Sequence, residues 1–95
     1  MRDYELTVIF SPEIAEEDIS MAIERVSSYI TQKDGVIDEV NRLGRRKLAY
    51  PINNFRDGNY TLIRLKLDPN QTAKLETNLK SWEDVLRYLL VRLEE

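Results

Sequence analysis

Neither histidine nor cysteine occurs among the 95 residues, and that decides much of the chemistry open to this chain. Without histidine, its serines and threonines have no ordinary base to turn them into nucleophiles. Without cysteine there is no disulfide, thiolate metal site or thiol nucleophile, and the commonest metal ligands are gone with the pair. The acids Glu16, Glu17, Asp18 and Glu24 read as a solvated helix face, with nothing to converge two carboxylates in a pocket. Gly35, Gly44 and Gly58 stand too far apart to cradle a phosphate in one loop. The expectation is a protein without catalysis, cofactor, metal or small-molecule substrate.

What remains is a basic stretch, Gly44-Arg45-Arg46-Lys47-Leu48-Ala49-Tyr50-Pro51-Ile52, with three consecutive cations beside a strand-like pattern and an aromatic. The chain as a whole is acidic, with a formal charge of -3. Residues 42–66 nevertheless carry seven cations and one anion, whereas residues 1–41 carry three cations and ten anions. A partner meets the local field, because charges further away than a Debye length of about 8 Å are screened. Arginine and lysine on such a ribbon supply phosphate contacts and release counterions. Tyr50 and Tyr60 flank it and can stack on unpaired bases.

The elements that position this stretch follow from periodicity. Tyr4, Leu6, Val8 and Phe10 alternate with Glu5, Thr7 and Ile9, which reads as a half-buried first strand. Ser11-Pro12-Glu13 reads as a cap, a proline at the first helical position and an acid in the first turn. Ile19, Ile23, Val26 and Ile30 then make one apolar stripe along a helix. Asp34-Gly35 should stop that helix, with the glycine in the left-handed conformation. Val36 to Ile52 is expected to be a long strand with a bulge near Gly44, since its apolar residues change parity there.

A hairpin connection over Asn53 to Gly58, with Asp57-Gly58 as its turn, should lead into a third strand over Tyr60 to Leu67. Asp68-Pro69 starts a second helix running to about Lys80, with Leu75 and Leu79 buried, and Val85 to Leu93 is the last strand. The order β-α-β-β-α-β predicts an α+β, ferredoxin-like domain over residues 1–95: a four-stranded antiparallel sheet with two helices on one face. Its open face would carry Glu5, Thr7, Ile9, Tyr60, Leu62, Arg64, Lys66, Arg87, Leu89 and Val91, a mixture that suggests a partner surface. Small acylphosphatase-like enzymes share this topology, but their glycine-rich phosphate loop is replaced here by Phe10-Ser11-Pro12-Glu13. The third strand, Tyr60-Thr61-Leu62-Ile63-Arg64, also lacks the aromatic motif of the common RNA-reading module. RNA would therefore be met by the ribbon, an edge or loops. No run approaches the ~20 apolar residues of a membrane span, and no signal-peptide segment opens the chain, so a soluble intracellular protein is expected.

Over nearly its whole length the chain resembles the family of bacterial small-subunit ribosomal proteins numbered six. The resemblance rests on the opening Arg2-Asp3-Tyr4-Glu5, the segment Gly44 to Ile52, the tripeptide Gly58-Asn59-Tyr60, and Leu79-Lys80 with Val85-Leu86-Arg87. It implies a cytoplasmic, ribosome-associated protein that binds the central domain of 16S ribosomal RNA. Its partner in that family is the basic small-subunit ribosomal protein eighteen, with which it forms a heterodimer. By position, the resemblance implies RNA contacts at Arg2, Arg45, Arg46, Lys47, Tyr50 and Arg87. The open-face residues Ile9, Tyr60, Leu62, Leu89 and Val91 are then the expected partner surface. Relatives often have a longer tail along the partner, and Leu93-Glu94-Glu95 would leave that contact out. The other reading of the same fold is a small-molecule-sensing or homo-oligomeric regulatory module.

Overall fold

A computed structural model describes residues 1–93, and the Glu94-Glu95 end on which the tail expectation falls lies outside the described residues. The elements are β1 (Arg2–Phe10), α1 (Glu16–Gln32), β2 (Val36–Ile52), β3 (Phe55–Leu67), α2 (Thr72–Ser81) and β4 (Val85–Arg92). The strands form one sheet in the order β2-β3-β1-β4, with every pair antiparallel. This is the expected ferredoxin-like arrangement.

The core lies where alternation and helical spacing put it. Tyr4, Leu6, Val8 and Phe10 of β1 and Thr61, Ile63, Leu65 and Leu67 of β3 are buried. They meet Ile19, Ile23, Val26 and Ile30 of α1 and Leu75 and Leu79 of α2. Each large aliphatic side chain removed from water here contributes about 1.5–3 kcal/mol. Tyr29 and Trp82 close one end edge to face, their centroids 6.3 Å apart, with the Arg25 guanidinium 5.5 Å from the indole.

Four local expectations change. The Ser11-Pro12 signal makes a separate turn: the Glu13 amide donates to Ser11 Oγ at 3.1 Å, and α1 begins only at Glu16. Ser11 is bound in place by its own amide, which donates to the Asp84 carbonyl at 2.8 Å, so its cap serves the turn and not the helix. At the other end of α1 it is Asp34, at φ 64°, that takes the left-handed conformation. Gly35 is needed for space instead, since a Cβ there would lie 2.6 Å from Ile30 Cγ2 and 2.8 Å from the Ile30 carbonyl oxygen. Asp68 caps a single 3-10 turn over Pro69–Gln71, accepting from the Asn70 amide at 2.9 Å, and α2 follows from Thr72.

The fourth change concerns the hairpin. Its turn is Asn53-Asn54, both at positive φ (51° and 70°), with Ile52 paired to Phe55. Two central residues at positive φ give the twist that a two-residue hairpin requires, and asparagine tolerates it. Asp57 and Gly58 lie inside β3, paired with Lys47 and Arg46. Gly58 is there because a Cβ would come 2.5 Å from Ile9 Cγ2.

β2 is the edge strand and the least regular. Its register with β3 breaks at Asp38, again at Leu43 beside Gly44 (φ 85°), and again between Lys47 and Ile52. The Gly44 break was expected from parity; the other two were not. A straight strand of this length would run about 50 Å at ~3.3 Å per residue. The molecule's longest dimension is 36 Å, so β2 has to curl. Bulges bend a strand and increase its twist. In the third break four residues, Leu48 to Pro51, stand opposite the single residue Arg56.

Candidate nucleic-acid interface

The curl of β2 decides where the basic ribbon points. Arg45, Arg46 and Lys47 pair with Asn59, Gly58 and Asp57; Asn59 is opposite Phe10, the last residue of β1, so the ribbon runs on beyond β1 from Arg46. Because side chains alternate along a strand, Arg45 and Lys47 leave from one face of the ribbon and Arg46 from the other. The Arg45 guanidinium is held: Nη2 donates to the Pro12 carbonyl at 2.8 Å, and Nη1 lies 3.5 Å from Asp57. Asn59, buried beneath, donates from Nδ2 to the Ser11 carbonyl at 3.3 Å. The β1–α1 turn and the ribbon are thus fastened together.

Arg46 and Lys47 differ from the ion-paired cations of the molecule. Arg25 pairs with Asp84, Arg42 with Glu16, Arg64 with Glu5, and Lys66 with Asp3 and Asp38. Among the described residues, the side chains of Arg46, Lys47 and Arg56 have no ion-pair or hydrogen-bond partner. Together with Arg45 and Asp57 these three line one depression of about 390 Å³. Sequence reasoning had placed Arg56 in a turn. The signal that would have found it is Asn53-Asn54 as a two-residue turn, which moves Arg56 onto a strand opposite the basic run.

The third break of β2 carries Tyr50 to the far side of the sheet. Arg87 on β4 donates from Nη1 to the Tyr50 hydroxyl, and its guanidinium lies 5.5 Å from the Tyr50 ring centroid. Two residues 37 positions apart are therefore one unit, and Leu48 is buried by the same bend. Arg2 is not part of this assembly. It pairs with Leu67 at the opposite end of β1, about 27 Å along the strands from Asn59.

The open face is ordered in rows by the pairing. Arg87, Ile9, Tyr60 and Gly44 form one row; Leu89, Thr7, Leu62 and Asn41 the next; Val91, Glu5, Arg64 and Glu39 the third. Ile9, Tyr60, Leu62, Leu89 and Val91 thus make a contiguous band, with Leu89 61% exposed. Below it the face is a lattice of charges: Arg64 Nε lies 3.4 Å from Glu5, and Lys66 Nζ lies 2.9 Å from Asp38 and 3.4 Å from Asp3. The hydrogen bond to Asp38 raises the Lys66 pKa above 10.5, desolvation opposes it, and the charges of Asp38 and Asp3 add to the rise. No group of three or more metal-ligating side chains occurs among the described residues, and no helix among them is long and apolar enough to cross a membrane.

Comparison with known proteins agrees with this architecture. The family described as ribosomal protein S6 matches residues 3–92. The small ribosomal subunit protein bS6 of Clostridium novyi is 40% identical over 95 residues, covering all of both chains. That of Dehalococcoides mccartyi is 37% identical over 95 residues, covering all of this chain and 87% of the relative. The crystal structure of 30S ribosomal protein S6 from Thermotoga maritima superposes with a TM-score of 0.92 at 34% identity, covering 97% of this chain and 87% of that one. With the family, the relatives and the fold in accord, the chain belongs to the ribosomal protein S6 family: it is a structural protein of the small ribosomal subunit, in the cytoplasm, and not an enzyme.

Proposed function

We propose that the whole chain acts as one domain that binds the central domain of 16S ribosomal RNA as a heterodimer with small-subunit ribosomal protein eighteen. RNA meets the ribbon at Arg45, Arg46, Lys47 and Tyr50, with Arg87 beside Tyr50, and a separate contact is made by Arg2 at the far end of the sheet. The partner covers Ile9, Tyr60, Leu62, Leu89 and Val91. The observation that carries this reading is the contrast between Arg46 and Lys47, exposed and without counter-anions on a projecting ribbon, and the ion-paired cations of the sheet and α1. Paired cations are already neutralised, whereas unpaired ones have counterions to release when a phosphate arrives.

The division of labour follows from charge and exposure. A chain of net charge -3 is repelled by RNA at long range, so a basic partner on the apolar band lets the ribbon act at short range. The band places Leu89 and Val91 at the surface, where covering them removes apolar area from water. The test is binding of a central-domain RNA fragment, at one salt concentration, by this chain, by ribosomal protein eighteen and by the two together. The pair should bind more tightly than either alone, and Leu89→Asp should abolish that gain while leaving thermal stability unchanged. Equal binding by the pair and by ribosomal protein eighteen alone would overturn the reading.

A further inference from the structure

We infer that the depression lined by Arg45, Arg46, Lys47, Arg56 and Asp57 is a phosphodiester clamp of the RNA site, with Arg56 as a contact residue and Asp57 as the group that restrains Arg45. The assignment rests on the proposed RNA binding and goes beyond it by naming one site and its ligand chemistry.

The pairing register builds the clamp. Arg45 and Lys47 share a face of the ribbon with Asp57, since Lys47 is paired with Asp57 and Arg45 with Asn59. Arg46, paired with Gly58, leaves from the opposite face, and Arg56, one residue before Asp57, alternates onto that face too. All five nevertheless line one depression, so cations reach it from both faces of the ribbon. The four-against-one break in β2 makes this possible. It removes Leu48 to Pro51 from the ladder opposite Arg56, leaving no paired neighbour over that side chain.

Three unpaired cations in so small a space repel one another, and the single nearby anion is engaged elsewhere. Asp57 lies 3.5 Å from Arg45, whose other terminal nitrogen is occupied by the Pro12 carbonyl at 2.8 Å. The charge left over at Arg46, Lys47 and Arg56 calls for an anion with several acceptor oxygens. The two non-bridging oxygens of a phosphodiester suit two guanidinium forks on one face of the ribbon and an ammonium reaching over from the other. An acidic protein side chain would satisfy one fork, whereas the depression offers the two of Arg46 and Arg56 together with the Lys47 ammonium.

The signs of the expected effects differ between neighbours, which a merely structural role would not produce. With this chain, ribosomal protein eighteen and the central-domain RNA fragment, Arg56→Gln should weaken binding as Arg46→Gln and Lys47→Gln do. Each should lower the slope of log affinity against log salt by about 0.7–0.9, so that the affinity lost between 50 and 200 mM salt shrinks by about 3-fold per variant. Asp57→Asn should tighten binding and steepen the slope, because it removes the anion and releases Arg45. Lys74→Gln, on the exposed side of α2, should change neither. If the wild-type pair binds RNA and Arg46→Gln weakens it but Arg56→Gln is silent, the clamp is overturned and the proposed function stands. If the wild-type pair does not bind RNA, both fall. If Arg56→Gln instead weakens association with ribosomal protein eighteen when RNA is absent, the residue contacts protein and the clamp is overturned.

Discussion

Replacing Gly58 by alanine tests whether this glycine serves space or a turn. The new Cβ would sit 2.5 Å from Ile9 Cγ2 and 3.2 Å from the Phe10 carbonyl oxygen. Carbon atoms rest about 3.5–4.0 Å apart, so roughly 1 Å has to be found. Ile9 cannot simply swing away, since a β-branched side chain is stiff at χ1, and Phe10 belongs to a strand paired on both sides. Overpacking of this kind costs about 1–3 kcal/mol. The lost freedom of glycine in the unfolded chain returns about 0.4–1 kcal/mol, and because a 2.5 Å contact against stiff neighbours falls in the middle to upper part of the overpacking range, a net loss of about 1–2 kcal/mol is left. At about 4–8 °C per kcal/mol for a domain of this size, Tm should fall by about 5–15 °C. Urea unfolding should show the midpoint moving with the m-value unchanged. In an Ile9→Ala background the 2.5 Å contact no longer exists, so the alanine at 58 should cost at least about 1 kcal/mol less than in the parent, the signature of two coupled neighbours. Gly58→Asn separates the two explanations further. A turn glycine at positive φ would accept asparagine, whereas this one should lose at least as much as with alanine. A Gly58→Ala protein within 0.5 kcal/mol of the parent, or an equal loss in both backgrounds, would refute the reasoning.

Two further outcomes follow from the electrostatics of the sheet. Lys66 has a folded pKa raised above 10.5 by its hydrogen bond to Asp38 and by the charges of Asp38 and Asp3. A raised pKa means that the stability it contributes is complete below the unfolded pKa and is lost as pH climbs through the folded value. Stability should thus fall above about pH 10.5, and Asp38→Asn should bring the Lys66 titration, followed by NMR, back toward 10.5. The Tyr50–Arg87 unit fastens the ribbon to β4, so Arg87→Gln should raise hydrogen exchange across residues 48–56 and leave β1 protected. Because the contact is exposed, global stability should change by less than about 1 kcal/mol. Unchanged exchange across the ribbon would show that the fastening is not there.

The parts of the fold written in short-range periodicity were legible from the sequence. Alternation in β1, the four-three-four spacing in α1 and the parity change at Gly44 all found their elements. What escaped was the choice between two uses of the same residue. Asp57-Gly58 and Asn53-Asn54 both carry turn chemistry six residues apart or less, and only the pairing partner decides which one turns. Gly35 and Gly58 look like conformational glycines in sequence, yet they exist because Ile30 and Ile9 come close from other elements. The same limit applied to the candidate site. The run Arg45-Arg46-Lys47 was visible as charge, but the meeting of Tyr50 with Arg87 and the placement of Arg56 depend on a break of four residues against one. No local pattern encodes that.

The interrupted edge of β2 bears on how the protein behaves among its own copies. An outer edge of 17 residues is a long row of unpaired amides and carbonyls, and a flat one would invite another chain to add to it. Here the regular stretches between breaks are only Glu39 to Arg42 and Gly44 to Lys47, four residues each. A strand arriving at this edge would lose register after each of them, meet Pro51 with no amide to offer, and face Arg45, Arg46 and Lys47 as it approached. The irregularities that curl the ribbon also deny it to a second strand, so that the chain can wait for its ribosomal partners without growing into fibres.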